Sequence, residues 1–326
     1  MTLFPFYSIM TKKFNHMTRK KTVYDHIKQN NIKTAFLVAL FPLIFIALVF
    51  LFTWFVVPAN EALNTAISVA IPTFIACILW MGISWAFGDA MILSSVGAIE
   101  IHNTNPEYRE VFHAVENVAM AAGLPCPRVY IINDDSLNAF ATGRSPRDAS
   151  VALTRGIIKK LDRLELEGVI AHECAHIGNR DIRLDMLIIT GIGVTVFIAD
   201  LIYRMAIYGG GGRNNDDNNK SGAILMMVWL AFMVFNLIIT PILKLAISRN
   251  REYAADATGA YITRNPMALA NALRKITQNS RTKSIDKMKS VSFACIAEPG
   301  KRDFFGDTFS THPAPEKRIK RLESMI

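Results

Sequence analysis

The chain has 326 residues, 51% of them hydrophobic, a mean hydropathy of +0.26 and a formal net charge of +9. The length supports one or two domains, and apolar residues gathered into long runs exclude an ordinary water-soluble domain and point to membrane-spanning segments. No stretch interleaves aromatic with basic residues, which argues against nucleic acid as a partner, and four scattered cysteines without a C-x-x-C pair exclude a disulfide framework or a thiolate zinc site.

Residues 1–33 read as a basic, solvated tail. Lys12, Lys13, Arg19, Lys20, Lys21, Lys28 and Lys33 face a single acid, Asp25, and Met10 and Met17 are alternative starts. The apolar run that follows is too long for the core of a cleavable signal peptide. It extends from Thr34 to Val57 without a charge, and Thr65 to Gly88 is a second such run. At about 1.5 Å per residue each exceeds a hydrocarbon core roughly 30 Å thick, so residues 34–95 are expected to form a transmembrane hairpin, with Pro72 able to kink its second helix. The basic tail before the first span and the lack of Lys or Arg from Pro58 to Asn64 place the amino terminus and the remainder of the chain in the cytoplasm.

Residues 96–326 are expected to be an α+β domain interrupted by a second membrane hairpin over 186–245. Asn105 to Ala122 has helical periodicity and is closed by Gly123 and Pro125. Val129 to Ile132, Ala139 to Thr142 and Ser150 to Thr154 read as short strands, with 143–148 as a turn. Asp162 and Glu165 form a capping-box pattern at the start of the next helix. Met186 to Tyr203 is apolar except for Asp200, which is placed to pair with Arg204 four residues on. Ala223 to Leu243 is a clean apolar run, separated from it by a Gly/Asn/Asp loop over 209–222. Pro266 opens a helix to about Gln278, and 279–310 reads as irregular. The density of Lys and Arg after Ala246 again fits the cytoplasmic side.

The helix begun at Asp162 carries His172-Glu173-Cys174-Ala175-His176, an H-E-x-x-H motif. Residues i and i+4 stand one above the other on a helix, so both imidazoles reach one Zn²⁺ at about 2.0–2.1 Å. Glu173 is then placed to act as base on a metal-bound water whose pKa the metal lowers to about 7. With 7 histidines in 326 residues, chance rarely makes this match. Cys174 lies on another face of the helix and reads as packing. Position 182 is Ile182, so the extended three-histidine motif is absent and the third ligand must come from elsewhere. Glu252 and Asp256, four apart among alanines, are the leading pair: Glu252 as third ligand, Asp256 as acceptor for the free N–H of a ligand histidine. On spacing alone, an ordinary solvated helix fits them equally well. Asn138, Ala139 and Phe140 are expected to bind an extended substrate if their strand is an edge, and a plain internal strand fits as well. His312 before Pro313 reads equally as an oxyanion donor or as a structural loop residue.

The run from Gly168 to Asp181 (GVIAHECAHIGNRD) resembles the HtpX family of membrane metalloproteases, relatives of the CaaX prenyl endopeptidases. Leu137 to Gly143, Ser248 to Asp256 and Ser310 to Arg318 resemble it as well, and the likeness covers nearly everything after Thr34. It implies that Glu252 is the third zinc ligand and that the chain is an inner-membrane protease of protein quality control, acting on misfolded or membrane proteins. The tail before Thr34 is longer than the family's usual start. The expected architecture is thus a multi-pass α-helical membrane protein with a cytoplasmic zincin-like α+β domain, with one Zn²⁺ per chain and the lipid bilayer and a protein substrate as partners.

Overall fold

The structure is a computed structural model that describes residues 23–208, 225–234, 236–237, 249–279, 296 and 313–325. Two long helices open it, α1 (Val23–Val56) and α2 (Ala59–Ser95), joined at Val57 and Pro58 and folded back on each other. Pro42 and Pro72 lie inside them without ending either helix. Both present large apolar side chains outward, among them Phe36, Leu51, Trp54, Leu79 and Phe87, a pattern that is costly in water and expected against lipid. Together with α6 (Asp181–Tyr208), they are the three helices long and apolar enough to cross a membrane among the described residues.

The helix α1 begins well before Thr34. Residues 23–33, expected as part of a solvated tail, continue it, and Asn30 and Thr34 are buried against the remainder of the protein. The Asn30 side chain takes protein partners, the Asn179 carbonyl and Asp181, which composition alone does not register.

Between the membrane helices lies a four-stranded sheet of β1 (Ala98–Ile101), β2 (Arg128–Ile132), β3 (Ala139–Thr142) and β4 (Ser150–Thr154) in the order β1-β2-β4-β3. The β2–β4 pair is parallel and the other two are antiparallel, so β3 is an edge. Successive side chains alternate between two cores. Val129, Ile131, Ala139, Ala141, Val151 and Leu153 face one that includes Val115 and Val118 of α3 (Arg109–Ala121). Tyr130, Ile132, Phe140 and Ala152 face a second, built with Ile92 and Leu93 of α2 and Leu184 and Ile188 of α6. Both faces of β3 and β4 are covered, so these strands carry only apolar and small uncharged residues, whereas β1 at the other edge exposes Ile99 and Glu100. The sheet therefore sits on the ends of two membrane helices.

After β4, the short helix α4 (Arg155–Lys160) leads to α5 (Arg163–Gly178). The expected capping box opens α5: Glu165 N–H donates to Asp162 Oδ1 at 2.9 Å and Asp162 N–H to Glu165 Oε2 at 2.9 Å. Arg180, with φ 59°, breaks the helix in the left-handed region, and α6 sets off at once. Thus α6 starts at Asp181 rather than near Met186: its first five residues include Asp181, Arg183 and Asp185, whose charges hide it from a hydropathy reading, and which are partnered inside the protein. Asp200 and Arg204 pair as expected, at 2.7 Å.

Beyond it lie α7 (Leu225–Val234, within the expected fourth apolar segment), α8 (Arg249–Thr263), α9 (Pro266–Asn279) and α10 (Pro315–Glu323). The expected loop over 209–222 and the irregular stretch over 279–310 fall almost wholly outside the described residues, as does His312.

Candidate metal centre

The helix α5 is buried on nearly every side, packed against α3, α8 and α9. Two glycines set how closely its neighbours approach. A Cβ on Gly168 would meet the Leu269 backbone nitrogen of α9 at 3.0 Å, and a Cβ on Gly259 of α8 would meet the His172 backbone nitrogen at 3.0 Å. With those positions bare, α8 lies against the turn that bears the H-E-x-x-H motif and brings Glu252 and Asp256 to it.

His172, His176 and Glu252 are all buried, and one ligand atom from each lies within 4.8 Å of the others. The two Nε2 atoms are 3.2 Å apart, and Glu252 carboxylate oxygens lie 3.6 Å from His172 Nε2 and 3.5 Å from His176 Nε2. A tetrahedral site with bonds of about 2.0–2.1 Å has ligand–ligand edges of about 3.3–3.4 Å. The separations, with Glu252 measured by Oε2 to His172 and by Oε1 to His176, come within about 0.3 Å of that figure, and two imidazoles with one carboxylate form a donor set that leaves a fourth position open, so the residues fit a catalytic metal.

The outward nitrogens are held as well. His172 Nδ1 lies 3.1 Å from Asp256 Oδ1 and His176 Nδ1 lies 2.7 Å from Asp181 Oδ2. A carboxylate behind each imidazole fixes the ring and keeps Nε2 turned inward as the metal-facing lone pair. Asp256 behind His172 is the partner the sequence suggested. Asp181 went unassigned, although it closes the same motif run, because an aspartate five residues after a histidine signals nothing by spacing.

Two buried arginines complete the arrangement, and the sequence reading assigned neither a role. Arg318 of α10 grips Asp256 with both ends of its fork, Nε to Oδ2 at 2.8 Å and Nη2 to Oδ1 at 2.7 Å, and also donates to the Ile296 carbonyl at 3.1 Å. Arg251 of α8 donates to Asp185 at 2.8 and 2.9 Å and has Nε 3.6 Å from Asp181 Oδ1. Each cation neutralises the carboxylates that hold the imidazoles, which is how charge is kept in a region closed to water.

These neighbours set the proton affinities. Burial alone would lower both imidazoles, but Asp256 and Glu252 raise His172, and Asp181 and Glu252 hold His176 up to about 9. Burial would raise Asp256, yet Arg318 outweighs it and holds the carboxyl down to about 2. Glu173 is 2% exposed, and burial raises its carboxyl against the opposing pull of His172 and His176. A carboxylate with raised proton affinity is the better general base near neutral pH. The Cys174 thiol is pushed up to about 12 by burial and packs in the core with Val169 and Ile170, as its helix face predicts.

Strand β3 runs beside this helix. The side chains of Asn138, Ala139 and Phe140 are all buried, so any contact with an extended peptide would be made by backbone. Asn138 faces β4, accepting from Thr154 N–H at 3.0 Å, so Ala139 and Ala141 point their backbone groups to the open edge. On that edge the Ala139 carbonyl accepts from Ile296 N–H at 3.0 Å.

The Peptidase family M48 model matches residues 105–326. A Protease HtpX homolog of Thermoanaerobacter pseudethanolicus is 40% identical over 311 residues, 94% of this chain and 99% of that one. One from Lactobacillus helveticus is 38% identical over 308 residues, 93% and 100% of the two chains. The solved structure of S. mikatae Ste24p aligns with a TM-score of 0.44 at 14% identity, over 92% of this chain and 66% of that one. The HtpX matches run through the membrane helices as well as the metal centre, and the chain belongs to peptidase family M48 as an HtpX-like membrane metalloprotease.

Proposed function

We propose that the chain is a zinc-dependent endopeptidase that hydrolyses peptide bonds of misfolded or membrane proteins at the cytoplasmic face of a cell membrane, in protein quality control under stress. The observation that carries this reading is the convergence of His172 Nε2, His176 Nε2 and Glu252 at tetrahedral edge lengths, beside the buried carboxylate of Glu173. A zinc ion in that cluster would supply the Lewis acid that polarises the scissile carbonyl and acidifies a water. Glu173 takes the proton of the attacking water and returns it to the leaving amine. Asp181 and Asp256 keep the imidazoles in one tautomer, and Arg251 and Arg318 keep those carboxylates ionised. An extended substrate adds as a strand at the β3 edge by displacing Ile296 N–H from the Ala139 carbonyl and pairing on to Ala141. His312, outside the described residues, is assigned as an oxyanion donor from its sequence setting.

The membrane and cytoplasmic assignments rest on the three apolar helices, on the basic residues before Thr34 and after Ala246, and on the sheet's contact with α2 and α6. A domain seated on membrane helices meets polypeptide near the bilayer surface, which favours membrane proteins as substrates. A prenyl-peptide specificity would need room for an isoprenoid tail. An apolar cavity lies between α1, α2 and α6, lined by Leu37, Phe41, Trp80 and Leu187, and cleavage of a prenylated peptide but not of casein would favour that specificity.

The test of the ligand assignment is metal content. Purified in detergent, wild type should bind one zinc per chain, and Glu252→Ala should lose both the zinc and casein cleavage. Retention of both by that variant removes Glu252 from the site.

A further inference from the structure

The first membrane helix reaches the metal centre. Asn30 of α1 is 4% exposed, whereas its neighbours Lys28 and Gln29 face solvent. Its Nδ2 donates to the Asn179 carbonyl, at the C-terminal cap of α5, at 3.2 Å, and to Asp181 Oδ1. The other oxygen of Asp181 holds His176 Nδ1 at 2.7 Å. On the Oδ1 side, Arg251 Nε lies 3.6 Å away, a charge contact longer than a hydrogen bond. The Asn30 amide therefore supplies the close donor that fixes the rotation of the Asp181 carboxylate, and the same amide ties that carboxylate to the end of the metal-bearing helix.

We infer that Asn30 is a positioning residue of the metal centre: acting through Asp181, it sets the orientation of His176 and makes the first membrane helix part of the outer shell of the site. The inference rests on the reading of His172, His176 and Glu252 as metal ligands. A plain anchor between α1 and the domain would need only some contact at this point, and Asn31 already provides one, its Oδ1 accepting from Arg183 Nη1 at 3.4 Å. Asn30 differs in being buried and in spending its two donor hydrogens on the helix cap and on the ligand's partner. An amide suits the place: it donates to the Asp181 carboxylate without adding a charge to the cluster.

The test uses the full-length protein in detergent, stripped by chelator and reloaded with Zn²⁺ or Co²⁺. Asn30→Asp keeps the side chain's shape and replaces the donor with an acceptor. Asn30→Ser, smaller and still polar, serves if the first variant does not fold. Asn31→Ala is the anchor control. Outer-shell partners of ligand histidines are worth about 10–100-fold in metal affinity. Acting one step further out, the Asn30 variants are expected to weaken Zn²⁺ about tenfold in chelator competition, shift the visible Co²⁺ spectrum, and lower kcat for casein with KM unchanged. Asn31→Ala should alter none of these. Wild-type metal affinity and Co²⁺ spectrum in both Asn30 variants, with or without a lower Tm, would overturn the inference and leave Asn30 an anchor. Failure of wild type itself to bind either metal would instead defeat the ligand assignment beneath it.

Discussion

Gly259 offers a sharp test of how the metal centre is assembled. Its replacement by Ala puts a Cβ 3.0 Å from the His172 backbone nitrogen and 3.3 Å from the Ala171 carbonyl carbon and His172 Cα. Ordinary contact begins at 3.4 Å, so α8 must retreat from α5 by about 0.4 Å (3.4 minus 3.0), and the obstructing atoms are backbone with no rotamer to change. Glu252 and Asp256 lie seven and three residues back on the same helical face and move with it. A displacement of about 0.4 Å exceeds the roughly 0.2 Å tolerance of metal–ligand distances. Overpacking costs about 1–3 kcal/mol and the gain in helix propensity returns about 1, so stability should fall by no more than about 2 kcal/mol. The function should suffer more: about tenfold in Zn²⁺ affinity, and between about 10-fold and 100-fold in kcat/KM, since a 1 Å misplacement costs about 100-fold. Chelator competition, casein cleavage and thermal unfolding read the three quantities separately. Gly82→Ala and Gly193→Ala, where a Cβ meets no described atom within 4 Å, are the controls and should keep wild-type activity. A Gly259→Ala enzyme with wild-type metal affinity and kcat/KM would refute the claim that this close approach positions Glu252.

Three further outcomes are expected. Asp256→Asn leaves buried Arg318, among the described residues, with only the longer carboxylate contact to Glu252, Nη1 to Oε2 at 3.6 Å, and should cost about 3 kcal/mol in thermal or denaturant unfolding; a loss below about 1 kcal/mol would show the pair to be incidental. Because Asp256 is held down to about 2 against a usual value near 4, its stabilisation is complete above pH 4 and disappears as pH falls toward 2. Wild-type Tm should drop across that window and the Asp256→Asn protein should lack this component; parallel curves would contradict the assignment. The Cys174 thiol, buried and pushed up to about 12, should resist N-ethylmaleimide at pH 8 while exposed Cys126 reacts, with activity preserved; mass spectrometry finding Cys174 modified in the folded, active enzyme would overturn its role as packing.

The parts of this protein that were legible in its sequence are those written locally. Strands β3 and β4 match their expected bounds because short apolar runs rich in small and β-branched residues leave a sheet with both faces covered as the readiest solution. The H-E-x-x-H motif was legible because one helix turn carries two ligands and the base. Glu252 was readable only with the resemblance, because spacing does not say which carboxylate returns to a given helix. The remainder is non-local. Arg318 meets Asp256 across 62 residues, and Asn30 meets Asp181 across 151. Such pairs depend on how α1, α8 and α10 pack around α5, and no period in the chain encodes that. Strand β1 received no element in the sequence reading because four residues with a charge among them carry no clear period, and it becomes a strand only by pairing with β2.

The most direct test of the central claim compares wild type with Glu173→Gln, both stripped and reloaded with Zn²⁺ in detergent. Metal content and casein cleavage are measured on the same samples. The substitution keeps the side chain's volume and removes only its capacity to take a proton. The account predicts one zinc per chain in both proteins, zinc-dependent cleavage by wild type, and a loss of at least about 100-fold in the variant. A zinc-loaded Glu173→Gln protein that cleaves at the wild-type rate would contradict it.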